Sequence, residues 1–226
     1  GIIGYSAPQW QDNSKNPDGD ADDSAEGDKK YPICFTSGSG MKIISADIVI
    51  DPKQIPVDCI KIKLENTGGY NFNETSVTGG VDKISVANLD CIKTFDADKV
   101  NMFNPLNLEW KITTDDGKTW NAITTSKSTV YVTHKDPATA VLYETLLYLS
   151  CKNASGLSTD ESIFNAIWTK FHDRDVKPVK VDSTGNRIDG EQLVYWMPND
   201  TECHTMAEML QLGHGSCIAF AEFFTK

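Results

Sequence analysis

Long apolar runs are missing from this sequence of 226 residues. No stretch of about 18 consecutive apolar residues occurs, and a helix that crosses a bilayer needs roughly that length. We therefore expect a protein that is not transmembrane. An initiator methionine and a signal peptide are also missing, since the chain opens with GIIGYS. A sequence that starts after a removed export signal has this form, and so has an internal fragment. The first interpretation predicts a secreted, periplasmic or cell-surface protein.

Basic residues are few, with 21 Lys and Arg against 32 Asp and Glu and a net charge of −11. Proteins that bind nucleic acid concentrate Lys and Arg on the binding surface, so this composition argues against nucleic acid as a partner. It also gives no reason to expect adhesion to an anionic membrane. We interpret the acidic excess as a contribution to solubility. The oligomeric state is left open.

Closely spaced cysteine pairs are missing as well. The six cysteines contain no C-x-x-C pair and lie at Cys34, Cys59, Cys91, Cys151, Cys203 and Cys217. This spacing argues against a zinc ribbon and against a thioredoxin-type redox site. We expect no metal and no cofactor. An even number of cysteines permits disulfides in an exported protein, and the pairing is left open.

Residues 11–30 are polar and acidic, with almost no large apolar side chains. Such a segment cannot bury enough surface to offset its chain entropy, so we predict a flexible acidic leader over residues 1–30. Asp18, Asp20 and Asp22 alternate like the start of a calcium loop. The pattern then fails, because Asp23 and Lys29 stand where the loop needs glycine and glutamate.

Short β-branched runs of period two follow, separated by clusters of glycine, proline and asparagine. These runs are Lys42–Ile50, Cys59–Glu65, Lys83–Leu89, Leu108–Thr114 and Thr129–His134. Several such strands without an intervening helical stretch predict an Ig-like β-sandwich over residues 31–136.

One turn inside this region carries a specific motif. TTDDGKTW, from Thr113 to Trp120, resembles the Asp-box hairpin S-x-D-x-G-x-T-W, with Thr113 in place of serine. The resemblance implies that the aspartate binds turn amides, that Gly117 adopts a special backbone angle and that Trp120 packs over the hairpin. Asp boxes recur in sialidase propellers, but a single copy cannot make a propeller. We interpret the motif as a rigid hairpin.

The pattern becomes helical near Pro137. Apolar residues from Val141 to Leu149 follow helical spacing, and a second helix is predicted with Ser158 and Glu161 as its capping box. A turn at residues 184–186 and a short helix over MAEMLQL follow. We predict a second domain over residues 137–226.

GHGSCIAFAEFF, from Gly213 to Phe224, carries the strongest candidate chemistry. A helix start offers unpaired N–H groups and a partial positive charge, which stabilise a thiolate and make Cys217 a candidate nucleophile. Glycines just before it let a substrate backbone approach closely. Phe220, Ala221 and Phe224 share one helix face and are expected to anchor the helix in a core. The alternative is that Cys217 only packs, as most cysteines in apolar helices do.

The order of elements over residues 140–226 resembles the N-terminal half of a transglutaminase-like domain, which has the papain-like cysteine fold. Gly215, Cys217 and Ala221 match its G-x-C-x-x-x-A pattern. The resemblance implies an α+β fold in which Cys217 attacks an amide or ester carbonyl of a protein or peptide substrate and forms a thioester. It further implies a histidine base and an Asp or Asn on strands after the nucleophile helix. We expect those residues beyond Lys226, so that the domain is truncated here.

The histidines already present are poor substitutes for that base. His214 lies in the glycine turn three residues before Cys217, where its ring cannot take an in-line position. His204 would need an unusual fold-back, while His134 and His172 have the surroundings of solvated histidines. Two alternatives therefore stay open. One is a non-catalytic exported module that binds protein or glycan through the β-sandwich, and the other is a structural module with an incidental cysteine.

Overall fold

The computed structural model describes residues 9–11, 33–49, 60–77, 83–136, 141–195 and 205–225. Over these residues the protein has a mixed α+β fold, with many strands and a few helices. The strands are β1 (Gln9–Gln11), β2 (Ile33–Thr36), β3 (Gly40–Val49), β4 (Ile60–Glu65), β5 (Thr75–Val77), β6 (Lys83–Thr94), β7 (Asn101–Thr113), β8 (Asn121–Thr133), β9 (Val141–Tyr143), β10 (Val179–Val181), β11 (Arg187–Asp189), β12 (Val194–Tyr195) and β13 (His214–Gly215). The helices are α1 (Glu144–Asn153), α2 (Asp160–His172), α3 (Met206–Leu212) and α4 (Cys217–Thr225).

Two sheets enclose the main hydrophobic core in a sandwich-like arrangement. One sheet has five strands in the order β2-β8-β7-β4-β5, and only its β2–β8 pair is parallel. The other is the antiparallel pair β3–β6. Strand β4 shows alternate burial, since Ile60, Ile62 and Leu64 point into the core and the residues between them do not. This alternation is the period-two pattern that the sequence shows.

Helix α1 covers the outer face of the five-stranded sheet. Val130 and Val132 of β8 point into the sandwich core, whereas Tyr131 between them points to the helix side. There Tyr131 packs in a second cluster with Cys34 of β2 and with Leu147 and other residues of α1. The two predicted domains therefore share a buried contact. Their predicted boundary near Pro137 lies at residues 137–140, outside the described residues.

The turn between β7 and β8 has the geometry that the Asp-box pattern predicts. The Thr113 hydroxyl donates to Asp115 (2.6 Å) and accepts from the Gly117 amide (3.1 Å), while Asp115 also accepts from the Thr119 amide (2.8 Å). Gly117 has a φ of 87°, and the Trp120 ring lies 3.8 Å from the position that a Cβ of Gly117 would occupy. The motif is a rigid hairpin that joins two long strands.

Helix starts differ from the prediction at two places. Val141–Tyr143 is not helical but forms β9, which pairs in parallel with β1, so the helix begins only at Glu144. Residues 9–11 of the predicted leader are thus a strand, while its other residues, including Asp18, Asp20 and Asp22, lie outside the described residues. The second helix is capped by Thr159 rather than Ser158, since the Thr159 side chain accepts from the Ser162 amide.

The predicted hairpin lies around Gly185, with a φ of 86°, and joins β10 to β11. The Asp182 carboxylate holds this turn by accepting from the amides of Thr184 and Asn186 at 2.8 and 2.9 Å. β12 belongs to a different pair, because it runs parallel to β13. β12 thereby connects the region after the hairpin to the turn before Cys217.

None of the helices among the described residues is long and apolar enough to cross a membrane, and the longest, α2, has 13 residues.

Candidate functional site

The predicted short helix α3 leads directly into the site. Its N-terminus has a complete capping box, in which the Thr205 hydroxyl accepts from the Glu208 amide and the Glu208 carboxylate accepts from the Thr205 amide. Its C-terminus is closed by Gly213, which has a φ of 80° and donates its N–H to Met209 at 2.9 Å. A left-handed residue at this position ends the helix, and glycine adopts it without a steric cost. The first glycine of GHG is therefore a helix cap.

The second glycine, Gly215, is required by packing. A Cβ on Gly215 would lie 2.8 Å from Cγ of Met209, and Met209 is fully buried. The space that the sequence pattern assigned to a substrate backbone is thus occupied by Met209 at this residue. Gly215 also pairs with Tyr195 in the β12–β13 ladder. The turn before Cys217 is consequently held from two sides, by α3 and by β12.

Cys217 is the first residue of α4, and its side chain is exposed. The Phe220 amide donates to the Ser216 carbonyl at 3.1 Å, so Ser216 occupies the N-cap position. The Ser216 hydroxyl is buried and has no hydrogen-bond partner among the described residues. The sequence correctly placed Cys217 at a helix start, and the structure adds that its thiol reaches solvent.

The other free cysteines in the described part of the chain differ from Cys217 in their surroundings. Cys34 and Cys151 are buried between the sheet and α1, and Cys91 is half-buried. Burial raises the pKa of Cys34 to about 12 and that of Cys151 well above its usual value, so both remain thiols at neutral pH. Cys59 and Cys203 lie outside the described residues. Cys217 is the one described cysteine that a solvent-borne reagent can reach freely.

Helix α4 buries a different face from the predicted one. Ala219 and Phe223 are buried in the core with Met206, Met209 and other apolar residues. Phe220 and Phe224 are half-buried, and Ala221 is exposed. Residues three, four and seven positions apart share a helix face, so Cys217 lies on the same face as Phe220, Ala221 and Phe224.

That face of α4 forms one wall of an apolar groove of about 700 Å³. The opposite wall comes from α2, from Arg174 and from residues 192–195, which include β12. Aromatic contacts join the walls, since Phe224 lies 5.0 Å from Trp168 and Phe220 lies 5.8 Å from Tyr195 between ring centroids. These contacts account for the partial burial of Phe220 and Phe224. The groove itself was not predicted, although its aromatic residues are visible as apolar positions of two helices.

The described histidines are placed away from Cys217 or within its turn. His134 lies at the end of β8, where its ring nitrogens contact Asp98 O (2.8 Å) and Asp160 Oδ1 (2.9 Å). His172 lines the groove beside Phe171, which contacts Phe224. Phe224 lies seven residues after Cys217, or about 10 Å farther along the helix axis. The end of the groove at which His172 lies is therefore beyond hydrogen-bond distance of the Cys217 thiol.

His214 is half-buried on β13, and His204 lies outside the described residues. Within the described part, no group of three or more His, Cys, Asp or Glu side chains could hold a metal ion. No protein-family model matches the sequence, and no curated protein was found to match it. Cys217 and the groove are therefore the features that indicate the chemistry of the site.

Proposed function

We propose that Cys217 is the nucleophile of a transglutaminase-like cysteine hydrolase or acyltransferase, preceded by an Ig-like β-sandwich and acting outside the cytoplasm. The observation that carries the proposal is the exposed Cys217 on the first turn of α4, one helical turn before Phe220 and Ala221, which line the apolar groove. Cys217 itself lies beside the groove and is not part of its lining. The helix N-terminus offers unpaired N–H groups and positive potential at the thiol. The groove offers a surface on which a protein or peptide substrate can lie.

The reaction is an acyl transfer through a thioester. The Cys217 thiolate attacks the carbonyl carbon of an amide or ester, and the carbonyl π-electron pair moves to the oxygen. Backbone N–H groups at the start of α4, including that of Cys217, are suited to stabilise this oxyanion. Collapse of the tetrahedral species expels an amine or alcohol, which takes up a proton from the general acid. Water or a second amine then attacks the thioester, loses a proton to the same group and releases Cys217.

The general acid and base in this proposal is a histidine outside the described residues. His134 and His172 are held elsewhere by their own contacts. The exposed Ile218, 61% accessible beside Cys217, offers an apolar contact on which a base-bearing element can pack. Such an element would place an imidazole at the thiol without rearranging the groove.

The test is selective modification of Cys217. The full chain is treated with iodoacetamide at pH 6 and the modified cysteines are identified by peptide mass spectrometry, with glutathione as the reference thiol. We expect Cys217 to react faster than glutathione, while Cys34 and Cys151 stay unmodified because they are buried. A reactive p-nitrophenyl ester should leave an acyl adduct on Cys217 and none in the Cys217→Ser variant. A reaction no faster than that of glutathione, without an acyl adduct, would refute the proposal.

A further inference from the structure

Several of the large exposed apolar side chains in the described part of the chain lie together at the groove. Trp168, Val194 and Tyr195 line the groove and are 45%, 46% and 47% exposed. Phe164, 52% exposed, stacks on Trp168 with ring centroids 6.3 Å apart. Exposed aromatic residues that cluster around a concave surface are typical of binding sites.

Arg174 is the one permanently charged residue among those that line the groove, and the lining contains no Asp, Glu or Lys. His172, which also lines the groove, contacts the Asp173 carboxylate at 2.9 Å. The Arg174 guanidinium lies 5.9 Å from the centre of the Tyr195 ring. No carboxylate in the described part of the chain pairs with Arg174. Its neighbours Lys170 and Lys177, in contrast, both pair with Asp175 at 2.8 Å.

Backbone hydrogen bonds hold Arg174 in place in the lining of the groove. Its amide donates to the Phe171 carbonyl at 3.1 Å, and its carbonyl accepts from the side chain of Gln192. Arg174 has a φ of 56°, which is an uncommon value for a residue other than glycine. A guanidinium held against an aromatic ring loses little further entropy when it binds a carboxylate.

We propose that this groove binds a partner protein through a segment that presents a large apolar side chain next to an Asp or Glu. Aromatic residues and arginine are enriched at the centres of protein interfaces and among the contacts that contribute most to binding, whereas Lys, Asp and Glu are depleted there. The apolar side chain would pack between α2 and α4, and the carboxylate would pair with Arg174. A second copy of this chain fits less well, since the groove offers no carboxylate to its own arginine and each copy carries a net charge of −11.

Binding at the groove does not depend on Cys217 being a nucleophile, so it is tested in the full chain carrying Cys217→Ser. The probes are fluorescein-labelled peptides with Trp-Asp, Leu-Glu or Phe-Asp between Gly-Ser flanks, and matched peptides in which the acid is replaced by Lys. Fluorescence anisotropy reports their affinity. The matched control for Arg174→Glu is Lys118→Glu, which makes the same charge change at an exposed residue of the Asp-box turn.

We expect the acidic peptides to bind about tenfold more tightly than the Lys peptides, because they gain a charge-assisted hydrogen bond to Arg174. Arg174→Glu should remove or reverse this preference, and Arg174→Gln should remove it, while Lys118→Glu leaves it unchanged. Equal affinity for both peptide series, or no binding of any peptide, would overturn the proposal. A dimer in light scattering that Arg174→Glu dissociates would assign the groove to a second copy instead. Binding of dodecanoate without binding of a peptide would assign it to a fatty acid.

Discussion

Replacing Arg187 by methionine is expected to destabilise the protein strongly, because it leaves Glu144 as a buried carboxylate without a cation. Glu144 begins α1 and is 1% exposed. Its Oε1 accepts from the Tyr131 hydroxyl at 2.9 Å and from Nε of Arg187 at 2.8 Å, whereas its Oε2 has no hydrogen-bond partner among the described residues. These three residues join α1, β8 and β11.

The expected loss in the free energy of unfolding follows from the burial of the Arg187–Glu144 pair. The side chains of Arg187 and Glu144 are 15% and 1% exposed, so solvent screens their interaction little. Removing one partner of such a pair costs about 3–5 kcal/mol, since the remaining charge cannot regain its hydration. Tyr131→Phe should cost less, about 1.5–3 kcal/mol, because it removes one hydrogen bond to a charged acceptor. Burial and the nearby Glu144 carboxylate raise the pKa of Tyr131 well above its usual value of 10.0, so its hydroxyl stays a donor at neutral pH.

Urea unfolding, followed by far-UV circular dichroism, measures these differences in free energy. The double variant Glu144→Gln/Arg187→Met should recover much of the loss, because no charge is then buried alone. Lys152→Met is the matched control, since its pair with Asp189 is 40% and 42% exposed and should be worth at most about 1 kcal/mol. If Arg187→Met lowers the free energy of unfolding no more than this control, or if the double variant is as unstable as Arg187→Met, then burial of an unpaired Glu144 charge is not what destabilises the protein.

Three further predictions concern the turns and caps. Gly215→Ala should cost about 1–3 kcal/mol in urea unfolding, because its Cβ meets Met209; an unchanged midpoint would show that the packing is looser than described. The hydrogen bond from Thr113 is the main cause that lowers the pKa of Asp115 to about 2 from a usual value of 3.8, and this stabilisation is present above pH 3.8 and lost as the pH falls to about 2. The melting temperature of Asp115→Asn should accordingly lie below that of the parent at pH 6 and match it near pH 2, and an equal difference at both pH values would contradict this. Thr205→Ala should cost about 1 kcal/mol by removing the capping box of α3, and no loss on urea unfolding would show that the cap contributes nothing.

The long strands could be predicted in part from the sequence, because their side chains alternate between the sandwich core and the other face of the sheet. The alternating runs at Lys42, Cys59, Lys83, Leu108 and Thr129 lie in β3, β4, β6, β7 and β8. The short strands β2 and β5, with four and three residues, were missed because so few residues carry no period. β2 also depends on β8, almost a hundred residues away, for its hydrogen bonds. A pairing over that distance leaves no local signal.

Helix ends could be predicted where capping residues mark them. The predictions were wrong where only apolar residues were available as a signal. The MAEMLQL helix was correctly placed, since Thr205 and Gly213 mark its two ends. Val141–Tyr143 was assigned to a helix because a short apolar run is compatible with both the helical and the strand period. Its pairing with β1 makes it a strand. In α4 apolar side chains occur on every side, so periodicity could not identify Ala219 and Phe223 as the buried pair. Contacts with α3 make that choice.

The glycines of the turn before Cys217 resemble those of a catalytic cysteine motif, but each has a structural role. Gly213 ends α3 and Gly215 accommodates Met209, so neither glycine is needed to admit a substrate. Together with the β12–β13 ladder, however, they fix the backbone directly before Cys217. A nucleophile held by packed elements keeps its geometry without reorganisation during a reaction. Under the proposed function the glycines would contribute to catalysis through the rigidity of the thiol's position, and substitutions in the buried face of α3 should then alter the reactivity of Cys217 without contacting it.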